Sequence, residues 1–153
     1  MDRKKIKEQR RKGYFIDATK NIINEEGVSN LTVKKVAELA GFAPGTLYNY
    51  FIDFNDLLSH CAADYWKECK NYVLDKLKED STPKERLIDA GKAYCSYFMN
   101  NPHIYQLLFI EDIGEISDET PDVVNILIEQ LRKGGEEGLI AKKDLQVVEN
   151  LLG

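Results

Sequence analysis

Residues 31–51, LTVKKVAELAGFAPGTLYNYF, constrain the fold more than any other part of the chain. Val33, Val36, Ala37 and Ala40 recur at helical spacing behind Thr32, a residue type suited to an N-cap. Gly41 ends that run at a position where a left-handed residue closes a helix, and Pro44 suits the first turn of the next. Two short helices joined through one glycine predict a helix-turn-helix. Leu47, with Tyr50 beside it, is the expected inward anchor, which leaves Ala43, Thr46 and Asn49 on the outer side next to Tyr48. Tyr48, Asn49 and Tyr50 are consecutive, so they cannot all turn to one packed face. Something outside the protein is expected to meet them.

The charge pattern suggests what. Over the whole chain of 153 residues the formal net charge is −5. Residues 1–51, however, carry ten Lys/Arg against six Asp/Glu, whereas residues 52–153 carry eleven against twenty. A basic front and an acidic rear direct only the front toward a polyanion. The small residues Ala43, Pro44 and Gly45 let backbone approach a major groove, Thr46 and Asn49 can read base edges, and tyrosine hydroxyls can bond phosphate oxygens.

The rest reads as helix. Apolar positions Phe15, Ala18, Ile22 and Ile23 predict a helix over residues 3–26 that stops at Gly27. Asp53 is placed to cap a long helix from Phe54 to about Lys78, with Leu57, Leu58, Cys61, Tyr65, Tyr72, Val73 and Leu77 turned inward. Thr82-Pro-Lys-Glu85 is a capping box opening a helix to about Met99 or Asn100. Pro102 restarts a helix over residues 103–110, residues 111–120 form an acidic loop, and Pro121 opens a helix that ends near Gly138. Asp144 caps a final stripe of Leu145, Val148, Leu151 and Leu152. Sustained period-2 alternation and hairpin signals are lacking, so the expected class is all-α.

At residues 32–51, followed by the Leu57-Leu58 pair, the chain closely resembles the N-terminal DNA-binding domain of TetR/AcrR-family transcriptional regulators. The family pattern runs T-V-x-x-[IV]-A, then A-G-[VF]-[SA]-x-G-T-[LI]-Y-x-[YH]-F, then a long helix. TVKKVAELAGFAPGTLYNYF matches it almost position for position, and the resemblance covers about residues 8–80. It implies a three-helix DNA-binding domain over residues 1–52 and a helical ligand-binding and dimerisation domain over residues 53–153. Residues 42–50 are then the recognition helix, and Thr32, Thr46, Tyr48 and Tyr50 contact DNA, mostly at phosphates. With Lys34, Lys35, Ala43, Pro44, Gly45 and Asn49 they make up the expected DNA-binding set.

Two positions depart from the pattern. Phe54 stands where the family usually has a lysine, and Ala43 stands where a serine cap is common. A phosphate contact is expected to be missing, with Asp53 and Asp56 adding repulsion nearby, and Lys34 or Lys35 placed to compensate.

In the rear half, AYCSYFMNNPHIYQLLF (residues 93–109) resembles a stretch found in many C-terminal domains of the family. Tyr65, Trp66, Cys69, Tyr94, Phe98, Tyr105 and Phe109 are the expected lining of a small-molecule pocket, with Met99 a further candidate; an aromatic stripe of this kind also suits simple core. The resemblance implies an inducer-responsive repressor acting on an inverted-repeat operator as a homodimer. It also implies a longer chain, so the end at Gly153 is expected to be a truncation, or else a short member that dimerises differently. A protein-interaction module that keeps the helix-turn-helix as scaffold is the alternative.

Other classes find little support. Nucleophile elbows, phosphate loops, dinucleotide fingerprints and zinc-protease motifs are missing, and Gly134-Gly135 ends a helix rather than following a strand. No enzyme, catalytic residue, cofactor or metal is expected; His60, Cys61, Asp64 and Glu68 share a helical neighbourhood, but such groups more often pack or face solvent. Cys61, Cys69 and Cys95 are widely spaced, which suits reduced thiols in the cytoplasm. No apolar run of membrane-spanning length occurs, and the basic N-terminus does not resemble a secretory signal.

Overall fold

In the computed structural model, residues 2–114 and 122–136 are described, the side chains of 122–124 excepted. These residues are helical, as expected: α1 (Arg3–Glu26), α2 (Val33–Ala40), a 3-10 helix (Pro44–Asn49), α3 (Phe54–Lys76), α4 (Pro83–Asn100), α5 (Pro102–Tyr105) and α6 (Asp122–Glu136). The expected stripe at Leu145–Leu152 lies outside them, as do Pro121 and Gly138 and most of the acidic loop. Contacts divide the described chain into two compact units, residues 2–65 with 101–114, and residues 66–100 with 122–136.

The first unit is built on one face of α1. Phe15, Ala18, Thr19, Ile22 and Ile23 are buried at the i, i+3, i+4, i+7, i+8 spacing of an amphipathic helix. Thr19 is polar, and its hydroxyl donates to the Phe15 carbonyl at 2.7 Å, which removes the cost of burying it. Asp2 caps the start of α1 by accepting from the Lys4 N–H at 3.3 Å, and Gly27 ends it at φ 86°. Against this face lie Val36 and Ala37 of α2, Leu47 and Phe51, and Leu57, Leu58, Cys61 and Tyr65 of α3, all buried. The Tyr65 hydroxyl lies 3.0 Å from Asn24 Oδ1, so the phenol is held as a core strut. Cys61 is also core: burial, with the Asp64 carboxylate adding to it, pushes its thiol up to about 12.

Several expected caps are present. The Thr32 hydroxyl accepts from the Lys35 N–H at 3.1 Å. Gly41 is left-handed (φ 86°, ψ 26°) and closes α2 in a Schellman arrangement, with Phe42 N–H on the Ala37 carbonyl at 2.9 Å and Gly41 N–H on Glu38 at 3.2 Å. Asp53 Oδ1 accepts from Asp56 N–H at 2.7 Å, and Asp56 Oδ2 accepts from Ile52 N–H at 2.9 Å. These two carboxylates therefore sit on the positive end of α3, which offsets part of their charge.

Beyond residue 53, two elements differ from the sequence reading. The helix expected over residues 103–110 is α only to Tyr105, then widens to π geometry over Gln106–Ile110, with Glu111 N–H reaching the Gln106 carbonyl at 3.1 Å. The long third helix ends at Lys76, about a half-turn before the expected Lys78.

The second unit packs α4 against α6 and the C-terminal part of α3. Cys69, Val73, Ala90, Ala93, Tyr97, Phe98 and Leu131 are its buried apolar residues. The capping box is reciprocal: Glu85 N–H donates to Thr82 Oγ1 at 3.2 Å, and Thr82 N–H donates to Glu85 Oε2 at 3.1 Å. Thr82→Ala is expected to lower unfolding free energy by about 1 kcal/mol. In urea titrations the Thr82→Ala and Glu85→Ala effects should be less than additive, because each change removes half of one box. Full additivity would show that the two bonds act separately.

Candidate nucleic-acid interface

The expected recognition segment, residues 42–51, is held from beneath by one aromatic ring. Phe15, 0% exposed, stacks on Phe42 at 5.0 Å between centroids, lies 6.0 Å from Tyr50, and meets Phe51 edge-on at 6.1 Å. Together with the fully buried Leu47, these contacts anchor both ends and the middle of residues 42–51. What is not anchored faces outward. Ala43, Pro44, Gly45 and Asn49 are exposed, Tyr48 is 55% exposed, and Thr46 and Tyr50 are half-buried.

The segment is not the α-helix the sequence suggested. Pro44–Asn49 is 3-10, shown by Tyr50 N–H bonding the Leu47 carbonyl three residues back at 3.0 Å. Six residues repay little of the cost of nucleating an α-helix, Pro44 contributes no N–H, and Ala43 offers no side-chain cap. Ala43 itself is extended (φ −68°, ψ 147°), the conformation a following proline imposes.

The other expected contact residues lie on α2 or at its start. Thr32, Lys34 and Lys35 are exposed. Thr32 spends an oxygen lone pair on its cap, which leaves its O–H as a donor. Lys35 is paired with Glu26 through Nζ and Oε2, so Lys34 is the better placed of the two to compensate for Phe54.

Sequence reasoning missed a basic cleft beside this segment. Lys4, Lys7, Glu8 and Arg11 of α1 line a cleft of about 220 Å³ together with Asn49 and Tyr50. Arg11 Nη1 donates to the Tyr50 hydroxyl at 2.7 Å. The signal was present as Lys4, Lys7 and Arg11 at i, i+3 and i+7, one face of a helix, but nothing local said which face would meet Tyr50.

The arrangement presents small backbone at Ala43–Gly45, polar tips at Tyr48 and Asn49, and cations alongside, which suits contact with a phosphate backbone. Residues 15–61 match the family described as bacterial regulatory proteins, tetR family. Over those residues the chain is similar to the TetR family. The HTH-type transcriptional regulator BetI of Klebsiella pneumoniae (strain 342) is 34% identical over 116 residues, spanning 63% of this chain and 60% of that protein. BetI of Escherichia coli O139:H28 is 36% identical over 67 residues, 44% of this chain and 34% of its own length. The chain thus spans 60% or less of those curated relatives. Among solved structures, FadR of Bacillus subtilis, determined in complex with stearoyl-CoA, superposes with a TM-score of 0.68 at 25% identity, covering 91% of this chain and 79% of FadR. A protein of Streptomyces coelicolor A3(2) described as a possible TetR family transcriptional regulator shares the fold at 19% identity and a TM-score of 0.67, covering 92% of this chain and 67% of that one.

The seven residues expected to line a ligand pocket fall into both compact units. Tyr65, Tyr105 and Phe109 belong to the first, where Tyr105 and Phe109 are exposed rings 5.0 Å apart. Trp66, Cys69, Tyr94 and Phe98 belong to the second. There Trp66 and Tyr94 both meet Phe98 edge-on, at 5.8 and 5.1 Å. Cys69 is buried and its thiol is pushed up to about 12 by desolvation, so it packs as a small apolar group. Met99 is 81% exposed. A cleft of about 280 Å³ in the second unit is lined by other residues, among them Tyr72, Lys76, Lys78, Asp89 and Lys92. His60 contacts Phe51 edge-on at 5.4 Å and Asp56 at 3.5 Å. Among the described residues no group of three or more metal-ligand side chains comes together, and no helix is long and apolar enough to cross a membrane.

Proposed function

We propose that this chain is a DNA-binding transcriptional regulator of the cytoplasm, a repressor that a small-molecule inducer releases from its operator. DNA binding is assigned to residues 1–52, and ligand binding and homodimerisation to residues 53–153. The observation that carries the reading is the recognition segment. Tyr48 and Asn49 face outward from a turn whose inner side is locked by Leu47 and Phe15, next to the cations of α1. Aromatic and amide tips exposed beside lysines fit a surface that phosphates and base edges will cover. Thr32, Lys34, Thr46 and Tyr50 complete the proposed contact set, with Ala43, Pro44 and Gly45 supplying close backbone approach and Lys35 a secondary charge.

A second reading has its own support. Phe54 replaces a usual lysine, and residues 52–153 are strongly acidic, which suits a protein-interaction module retaining this scaffold. Selection of duplexes from a random library at about 0.15 M salt, where long-range attraction is screened, separates the two. The regulator reading expects an enriched inverted repeat, lost with Tyr48→Ala. Enrichment of a half-site alone would refute the dimer. Absence of any enrichment, with the fold intact by circular dichroism, would sink the DNA reading in favour of the interaction module.

A further inference from the structure

Three cations share one stripe of α1. Lys4 and Arg11 are separated by about 10 Å along the helix axis, with Lys7 between them. Crowding like charges on one face is unfavourable unless something negative meets them. Two local candidates for that role are already engaged. Asp2 caps the helix through Lys4 N–H, and Glu8, the one acidic residue lining the cleft, has Oε1 3.9 Å from Lys12 Nζ. The site is therefore made by side chains, not by the helix end.

Arg11 distinguishes this cleft from an ordinary solvated stripe. It is half-buried, and its Nη1 donates to Tyr50 Oη at 2.7 Å, joining α1 to the end of the recognition segment across 39 residues of sequence. The bond has a direction with a consequence. Because the guanidinium is the donor, Tyr50 accepts on a lone pair and keeps its own O–H to give outward. Arg11 in turn keeps further N–H groups, and a planar fork of donors suits phosphate oxygens. Asn49 stands exposed at the same cleft.

We propose that the Lys4–Lys7–Arg11–Tyr50 cleft is a phosphodiester-binding site that grips the DNA strand beside the bases the recognition segment meets. Tyr50 and Arg11 form one unit: Arg11 orients the phenol and both donate to phosphate. Lys4 and Lys7 add point charges that set the salt dependence. The site rests on the DNA-binding reading and deepens it.

The test measures equilibrium binding of the full chain to its selected duplex between 50 and 200 mM chloride. Lys4→Ala with Lys7→Ala should lower the slope of log K against log salt by about two and weaken binding on the order of tenfold or more at 0.15 M. The loss should be equal on the selected and a scrambled duplex, since phosphates carry no sequence. Both lysines are exposed, so thermal melting should not move. Tyr50→Phe and Arg11→Met should each weaken binding, and the double change should cost little more than Arg11→Met alone. An unchanged slope in the Lys4/Lys7 variant of a chain that otherwise binds would overturn the site and leave the regulator reading standing. Failure of the unaltered chain to bind any duplex would overturn both. Replacing chloride by inorganic phosphate at matched ionic strength should leave duplex binding unchanged; selective competition, abolished in the Lys4/Lys7 variant, would assign the cleft to free phosphate instead.

Discussion

Phe15→Ala is expected to lower the unfolding free energy by about 3–5 kcal/mol, the range for removing a fully buried aromatic ring. In a domain whose whole stability is on the order of 5–15 kcal/mol, that is a large share. The reason lies in what the ring touches. Phe42, Tyr50 and Phe51 all rest on it, and they bracket the recognition segment. DNA binding should therefore fall even at temperatures where most of the variant is folded, because the platform under Tyr48 and Asn49 is gone. Phe15→Leu, which fills part of the volume, should fall between the two. Urea titration gives the stability and duplex titration gives the function. A loss under about 1 kcal/mol would show that the neighbouring rings collapse into the space, and that Phe15 is not their common support.

Gly27→Ala is expected to destabilise by about 2–4 kcal/mol, from two separable causes. Gly27 has φ 86° and ψ 173°, a conformation close to glycine-only. A Cβ there would also lie 2.9 Å from His103 Nδ1 and 3.1 Å from Cε1, inside contact distance. Pairing the change with His103→Ala should restore the part due to the clash and leave the part due to backbone strain. Full recovery in the pair would mean that strain contributes nothing; no recovery would mean that the imidazole simply moves aside.

Much of this architecture was legible in the sequence, and the legible parts share a property. The Thr32 cap, the Schellman closure at Gly41, the Asp53 cap and the Thr82–Glu85 box each join residues no more than five apart. Such signals need only local geometry, so residue type and spacing suffice to find them. The buried stripe of α1 and the outward placement of Tyr48 and Asn49 followed from periodicity for the same reason. The family pattern in residues 32–51 was equally a matter of contiguous residues.

What the sequence left open depended on distant partners. Nothing in the order of residues says that Arg11 meets Tyr50, that Phe15 carries three rings from beyond Gly41, or that His103 closes over Gly27. Those pairings depend on where whole helices are placed, and many faces of a polar, basic helix look alike to a periodicity argument. The 3-10 form of Pro44–Asn49 belongs to the same class, since short segments take the geometry that their anchoring contacts allow. The chain by itself determined its helices, their caps and the outward-facing tip of the recognition segment, because those are settled within a turn or two of backbone. Tertiary packing alone decided which cations stand beside that tip and what holds it up, because only folding brings residues 11, 15 and 50 within reach of one another.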